Sequence, residues 1–199
     1  MVEQMKRSPL MERWAEASAQ IVTQGEVRPS NVAAVVASNR EGARAAFPMK
    51  WGFAGRSLLM NARAETASVR PTFREAWAAH RCAVPASGYF EWEHLPVPGG
   101  RTRTGDRFRI RPRGEGVTWL CGLYRIERGL PAFVVLTREP GEGIRFLHDR
   151  MPLILPGDRV DEWIRPGADP AALLGAALTD MEFEREAPEP GEAVQLRIF

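Results

Sequence analysis

Apolar residues along this chain fall mainly into short runs, and glycine, proline and small polar residues separate them. That pattern predicts many short strands rather than a helical bundle. Val32 to Ala37 reads as a short buried strand. Met49 to Phe53 and Leu58 to Asn61 read as a hairpin turning around Gly55. Cys82 to Trp92 supplies two strands around Pro85 to Gly88. Phe108 to Arg111, Val117 to Ile126 and Ala132 to Arg138 supply three more, and Leu153-Ile154-Leu155 is a last apolar run before Pro156-Gly157. Helical spacing is confined to a few places. Leu10, Trp14, Ala17 and Ile21 follow the Ser8-Pro9 start signal and predict an amphipathic helix reaching Gly25. Phe73 to His80 predicts a short helix capped by Thr72, with Phe73 and Trp77 inward. Glu142 to Leu147 predicts one helical turn. Asp158 and Asp169-Pro170 predict caps for short helices over Val160 to Ile164 and onward to Leu178. Leu95 to Asp106 reads as a surface loop carrying Arg101, Arg103 and Arg107. Glu182 to Glu192 reads as an acidic surface tail, and Gln195 to Phe199 as a returning strand.

The 199 residues fit one domain with its own core, and 44% apolar with 26% charged content is ordinary for a globular protein. Net charge is only +2, but the 27 basic residues are almost all arginine, lysine occurring only at Lys6 and Lys50. Arginine suits phosphate, which leaves nucleic acid open as a partner; arginine-rich codon usage explains the bias equally well. Cys82 and Cys121 sit in apolar strands and read as reduced core thiols of a cytoplasmic protein. No window has transmembrane length, and the charged start shows no signal peptide. Three scattered histidines, without paired cysteines, argue against a metal site. No glycine fingerprint for a nucleotide cofactor is present.

Three polar clusters interrupt the apolar runs. Asn61-Ala62-Arg63-Ala64-Glu65-Thr66 alternates, so that Asn61, Arg63 and Glu65 line one face. In Gly88-Tyr89-Phe90-Glu91-Trp92 a carboxylate stands between aromatics. If Glu91 is buried, its pKa rises and it becomes useful for proton transfer near neutral pH; if it lies on the solvated face of an alternating strand, it is inert. The third cluster is His148-Asp149-Arg150-Met151-Pro152, whose histidine by itself reads as a structural group satisfied by its neighbour. Pro29, in Arg28-Pro29-Ser30-Asn31, reads either as a plain turn or as a loop presenting backbone to a ligand.

Together with Trp51-Gly52-Phe53, and in this order, these clusters resemble the SOS response-associated peptidase (SRAP) family over about Phe47 to Leu155. The resemblance implies an α+β single domain, with a mainly antiparallel, barrel-like sheet, flanking helices and a groove for single-stranded DNA. It implies covalent capture of abasic sites by an N-terminal cysteine, whose amine forms a Schiff base with the sugar aldehyde and whose thiol closes a thiazolidine. By motif position, Asn61 would hold the N-terminal residue, Glu91 would shuttle protons and His148 would act on the sugar oxygen or phosphate. Arg63, Pro29, Thr137 and Arg150 would contact the DNA backbone, while Trp51 or Phe53 would fill the gap of the missing base. No cofactor, metal or membrane is implied. The expected partner is single-stranded DNA carrying abasic sites, and the expected form is a cytoplasmic monomer, nucleoid-associated when bound.

Family chains begin Met-Cys-Gly-Arg, whereas this sequence begins Met1-Val2-Glu3-Gln4. Neither internal cysteine can substitute, because the ring requires amine and thiol on one residue. The favoured expectation is a true start upstream, with a Cys-Gly-Arg strand leading into the Ser8 helix. The alternatives are a noncovalent single-stranded-DNA module, or a peptidase-like or structural relative. No Ser-His-Asp order or internal nucleophile supports the peptidase reading.

Overall fold

A computed structural model describes residues 1–186. Its frame is an eight-stranded mixed sheet in the order β10-β7-β4-β1-β2-β8-β3, with β9 added to β8 and a β7–β8 pairing that closes the sheet into a barrel. The strands are β1 (Val32–Ser38), β2 (Arg44–Trp51), β3 (Asn61–Arg63), β4 (Arg81–Ala86), β7 (Thr118–Glu127), β8 (Leu130–Arg138), β9 (Met151–Pro152) and β10 (Ile154–Leu155). Most pairings are antiparallel, and β2 and β3 run parallel to β8. A second sheet, in the order β11-β6-β5, contains β5 (Tyr89–Val97), β6 (Arg101–Pro112) and β11 (Met181–Arg185). The helices are short: α1 (Val2–Lys6), α2 (Leu10–Glu16), α3 (Ala64–Ala67), α4 (Arg74–Ala79), α5 (Val160–Ile164) and α6 (Pro170–Leu173). The α+β, barrel-like class expected from the sequence is the one found.

Two apolar clusters account for the closure. Val36, Phe53, Trp77, Leu123, Leu136, Leu153 and Trp163 form one, with α4, α5 and α6 against the barrel. Val35, Met49, Phe133, Ile110, Leu147 and Ile154 form the other, between barrel and second sheet. At Gly122 a Cβ would stand 2.7 Å from the Val134 carbonyl oxygen and 3.0 Å from Cys82 Sγ, so β7 and β8 approach there only because the side chain is missing. Cys82 and Cys121 are buried free thiols, and burial raises the pKa of both.

Several local expectations are corrected. The helix predicted from Ser8-Pro9, α2, stops at Glu16 because Ser18 turns left-handed at φ 53°, and Ile21 instead bridges Val32. The hairpin around Gly55 reduces to one bridge, Phe53 to Leu59, since Asn61 to Arg63 pair with β8. Cys82 to Trp92 does give two strands, but they belong to different sheets. Thr72 and Asp158 are not caps, whereas Asp169 accepts from the Ala171 N–H as expected; that helix ends at Leu173 and a 3-10 turn follows. The Leu95 to Asp106 loop is a hairpin of β5 and β6. Pro98-Gly99-Gly100 makes its turn, with φ of 91° and 73° at the glycines. Its residues read as loop because Pro96 and the Arg-Thr alternation are tolerated only on an edge pair exposed on both faces. Residues 182–185 of the expected acidic tail belong to β11, which pairs with β6, whereas the expected Gln195 to Phe199 strand lies outside the described residues.

Candidate active site and nucleic-acid interface

The site gathers where β3, β8, the turn before β9 and the edge strand β5 meet. Asn61 and Arg63 are exposed, and Ala62 and Ala64 between and after them are 3% and 5% exposed. The predicted alternation is therefore real: alanines anchor the segment in the core and the polar residues stand out. Arg63 lies opposite Thr137 across the parallel β3–β8 pair. From the other side Arg150 Nη2 donates to the Thr137 carbonyl at 2.7 Å and to Glu65 Oε2 at 2.8 Å. Arg150's hydrogen bond, ahead of its charge, holds the Glu65 carboxyl below its ordinary pKa. One guanidinium thus ties the Asn61 segment to the His148 turn.

His148 Nδ1 is 3.0 Å from both the Arg150 backbone nitrogen and Asp149 Oδ1. A single ring nitrogen serves one partner at a time. Neutral, it accepts from the Arg150 N–H and leaves its proton on Nε2; protonated, it donates to Asp149. The ring packs on His94, with centroids 5.0 Å apart. Sequence reasoning misses His94 because nothing in its spacing separates it from a solvated strand residue; only the hairpin brings it there.

Glu91 lies opposite Phe108 in the β5–β6 register, on the strand face shared with buried Tyr89, while Phe90 and Trp92 take the other face. The solvated-strand alternative is thereby removed: the aromatics do point away, but Glu91 faces inward and is largely covered. Burial, reinforced by the Asp149 charge, raises its pKa from 4.5 to about 7. Tyr89, two residues earlier, buries a hydroxyl that has no protein partner among the described residues, and its pKa also rises through burial and then the Glu91 charge.

Trp51 is half-buried at the end of β2. Its indole N–H donates to the Met60 carbonyl at 3.0 Å, next to Asn61, and its ring stacks on Phe133 at 6.3 Å. The Pro29 turn abuts it, since the Ser30 N–H donates to the Trp51 carbonyl at 2.8 Å. Phe53 is a correction. It is 0% exposed, packed on Phe73 and under the Arg125 guanidinium, so it is core and cannot occupy the gap of a base. Pro29, Trp51, Asn61, Arg63, Thr137, Arg150 and His148 therefore form one connected series, and Glu91 lies close enough for the Asp149 charge to act on it. None of the described hydrogen bonds links Asn61 to Glu91 directly. Among the described residues no three His, Cys, Asp or Glu side chains are grouped to hold a metal ion, and no helix is long and apolar enough to cross a membrane.

The arrangement combines a carboxyl poised near neutrality, a histidine with two alternative hydrogen-bond states and one exposed arginine, Arg63. That equipment suits proton transfer beside a phosphate-bearing ligand. Comparison with known proteins identifies relatives of the chain. The chain is 34% identical over 113 residues to the abasic site processing protein YoaM of Bacillus subtilis, covering 54% of this chain and 48% of YoaM. It is 32% identical over 129 residues to the abasic site processing protein YedK of Escherichia coli, covering 59% and 54%. The chain spans about half the length of the curated relatives it matches. A solved structure of a phage-related protein from Bordetella bronchiseptica shares the fold, with TM-score 0.68 and 22% identity over 83% of this chain and 84% of that one. The SOS response associated peptidase (SRAP) family profile matches residues 2–187, and the chain belongs to that family.

Proposed function

We propose that this chain recognises abasic sites in single-stranded DNA at the Asn61–Glu91–His148 cleft, and that the cleft promotes imine formation between an amine and the sugar aldehyde. The observation that carries this reading is Glu91, a carboxyl with pKa raised to about 7 beside the His148-Asp149 turn. In the reaction the amine nitrogen attacks the aldehyde carbon, the carbonyl oxygen leaves as water and the C=N bond forms. Glu91 supplies a proton to the departing oxygen and regains one from nitrogen. When the amine belongs to an N-terminal cysteine, its thiol adds to the imine carbon, the S–H proton passes to nitrogen and the thiazolidine closes. His148 serves the sugar oxygen or the adjacent phosphate, Asn61 holds the attacking residue, and Arg63, Arg150, Thr137 and Pro29 place the strand, with Trp51 beside the missing base. The protein would act as a monomer in the cytoplasm, associated with the nucleoid when on DNA.

A second reading keeps the cleft and drops the covalent step. It rests on Arg63, which is exposed and stands opposite Thr137 across the β3–β8 pair, a phosphate contact that needs no covalent step. A denaturing gel separates the two. A version of the chain opening with Cys-Gly-Arg should give a heat-stable shifted band with single-stranded DNA carrying one abasic site, and the 199-residue chain should not. If both fail while salt-sensitive binding is retained and Arg63→Ala weakens it, the noncovalent reading holds. If neither version prefers abasic over intact DNA, both readings fall.

A further inference from the structure

The outer face of the three-stranded sheet is ordered in columns. Phe90 stands opposite Arg109, which stands opposite Glu184; Trp92 stands opposite Arg107; Arg111 stands opposite Glu182. The Glu186 N–H donates to the Arg107 carbonyl at 2.9 Å and so extends the same register. Residues directly across a sheet share a face. The edge strand β5 thus contributes aromatics, β6 arginines and β11 glutamates, at alternate positions about 7 Å apart along each strand.

The arginines are partly neutralised from within. Arg111 Nε meets Glu182 at 2.6 Å and Arg107 Nη1 meets Glu186 at 3.3 Å, while Arg107 also reaches Glu26 at 2.8 Å. The Arg107 guanidinium lies 3.8 Å from the Phe90 ring centroid and 5.0 Å from that of Trp92. Arg109 donates to the Ser87 carbonyl at 3.3 Å and has no carboxylate partner among the described residues. Aromatic rings interleaved with arginines are a surface that single-stranded nucleic acid binds through stacking and phosphate contacts. A parallel row of carboxylates is the charge such a strand would bring. The Arg111–Glu182 pair is solvent-accessible and contributes little to folding, so exchanging its glutamate for a phosphate costs little.

We propose that this outer face is a second contact surface for single-stranded DNA, with Arg109 and Arg111 as phosphate ligands and Arg107 holding the Phe90 and Trp92 rings in place, and that the glutamates of β11 and Glu186 are a built-in counter-charge limiting its strength. The proposal rests on the cleft reading for the identity of its ligand. It extends that reading, because Glu91 and Trp92 are successive residues of β5: a strand leaving the cleft needs only to round the edge strand to reach the arginine column. The counter-charge would keep undamaged DNA from being held as firmly as the lesion.

The test is binding of an undamaged oligothymidine across a salt series, which involves no abasic chemistry. Glu182→Gln/Glu184→Gln/Glu186→Gln should bind about tenfold tighter than the parent at low salt, with the slope of log affinity against log salt steeper by about 2. Adding Arg109→Gln should remove most of that gain. Glu184→Gln alone alters a carboxylate with no described partner, so it keeps the ion pairs and should still tighten binding. Unchanged affinity in the triple variant with an unchanged thermal midpoint, unchanged affinity in Glu184→Gln, or a gain that survives Arg109→Gln would each overturn the proposal. The cleft reading fails separately, by loss of preference for abasic DNA with the oligothymidine series intact.

Discussion

Glu91→Gln is expected to slow abasic-site capture by a Cys-started version of the chain by roughly a hundredfold or more, the usual contribution of a positioned acid–base group. Glutamine keeps the shape of the side chain and cannot exchange the proton. In the parent, the rate should inflect near pH 7, where Glu91 titrates, and in the variant that inflection should vanish. Single-turnover adduct formation on denaturing gels reads both. A variant with the parent's rate and pH profile would remove Glu91 from the chemistry.

The same group makes a separate prediction about stability. Its pKa is near 4.5 in the unfolded chain and about 7 in the folded one. Between those values the folded chain holds a proton that the unfolded chain has lost, so stability falls as pH rises through that window. Above pH 7 the loss is complete and amounts to roughly 3–4 kcal/mol at most, at about 1.4 kcal/mol per pKa unit. Glu91→Gln removes it. The variant should therefore be more stable than the parent above pH 7, with the advantage shrinking on acidification, as urea unfolding at several pH values would read. Higher stability combined with lost activity is the signature of a group placed for chemistry at the expense of the fold.

Arg81→Met should cost about 3–5 kcal/mol of folding stability, the loss expected when one member of a buried polar network is removed. Arg81 is 2% exposed and no described carboxylate bonds to it. Its guanidinium donates to the backbone carbonyls of Trp77, Ala78, Trp163, Arg165 and Ala168 at 2.6–3.2 Å. It thereby satisfies the final carbonyls of α4 and the end of α5 together, and pins both to the start of β4. Burial pulls its pKa down from the ordinary arginine value, and the Asp169 charge opposes this. Methionine fills part of the volume and leaves those carbonyls without donors. Arg81→Lys, which cannot fork to so many acceptors, should recover only part of the loss. A shift below about 1 kcal/mol in urea unfolding would show that water or backbone movement satisfies the carbonyls instead.

Legibility in the sequence followed the range of the interactions. Val32 to Ala37, the β7 and β8 segments, the Phe73 to His80 helix and the Asp169 cap were readable because each is set by neighbours within a few residues: apolar runs, glycine and proline boundaries, one cap side chain. The alternation of Asn61 and Arg63 about Ala62 was readable for the same reason, since a strand places every second residue on one face whatever it pairs with; Glu65, exposed as expected, owes its place to the α3 turn that follows. Family motifs supplied the proposed site residues, of which Phe53 is core. Its position in Trp51-Gly52-Phe53 carries no information about which ring faces the core; the Phe73 and Arg125 side chains that cover it come from distant elements.

By itself, then, the sequence determined that this is a strand-rich α+β domain whose polar clusters match the SRAP pattern, because composition and local periodicity are properties of the chain alone. Only the tertiary structure decided that Glu91 is largely covered rather than solvated, that Arg150 bridges Thr137 and Glu65, that His94 lies on His148, and that Leu95 to Asp106 is a hairpin, on a strand whose later arginines face the glutamates of β11. Each of those depends on which strand pairs with which. Strand pairing is fixed by burial summed over the whole barrel and its second sheet, not by any stretch of a few residues.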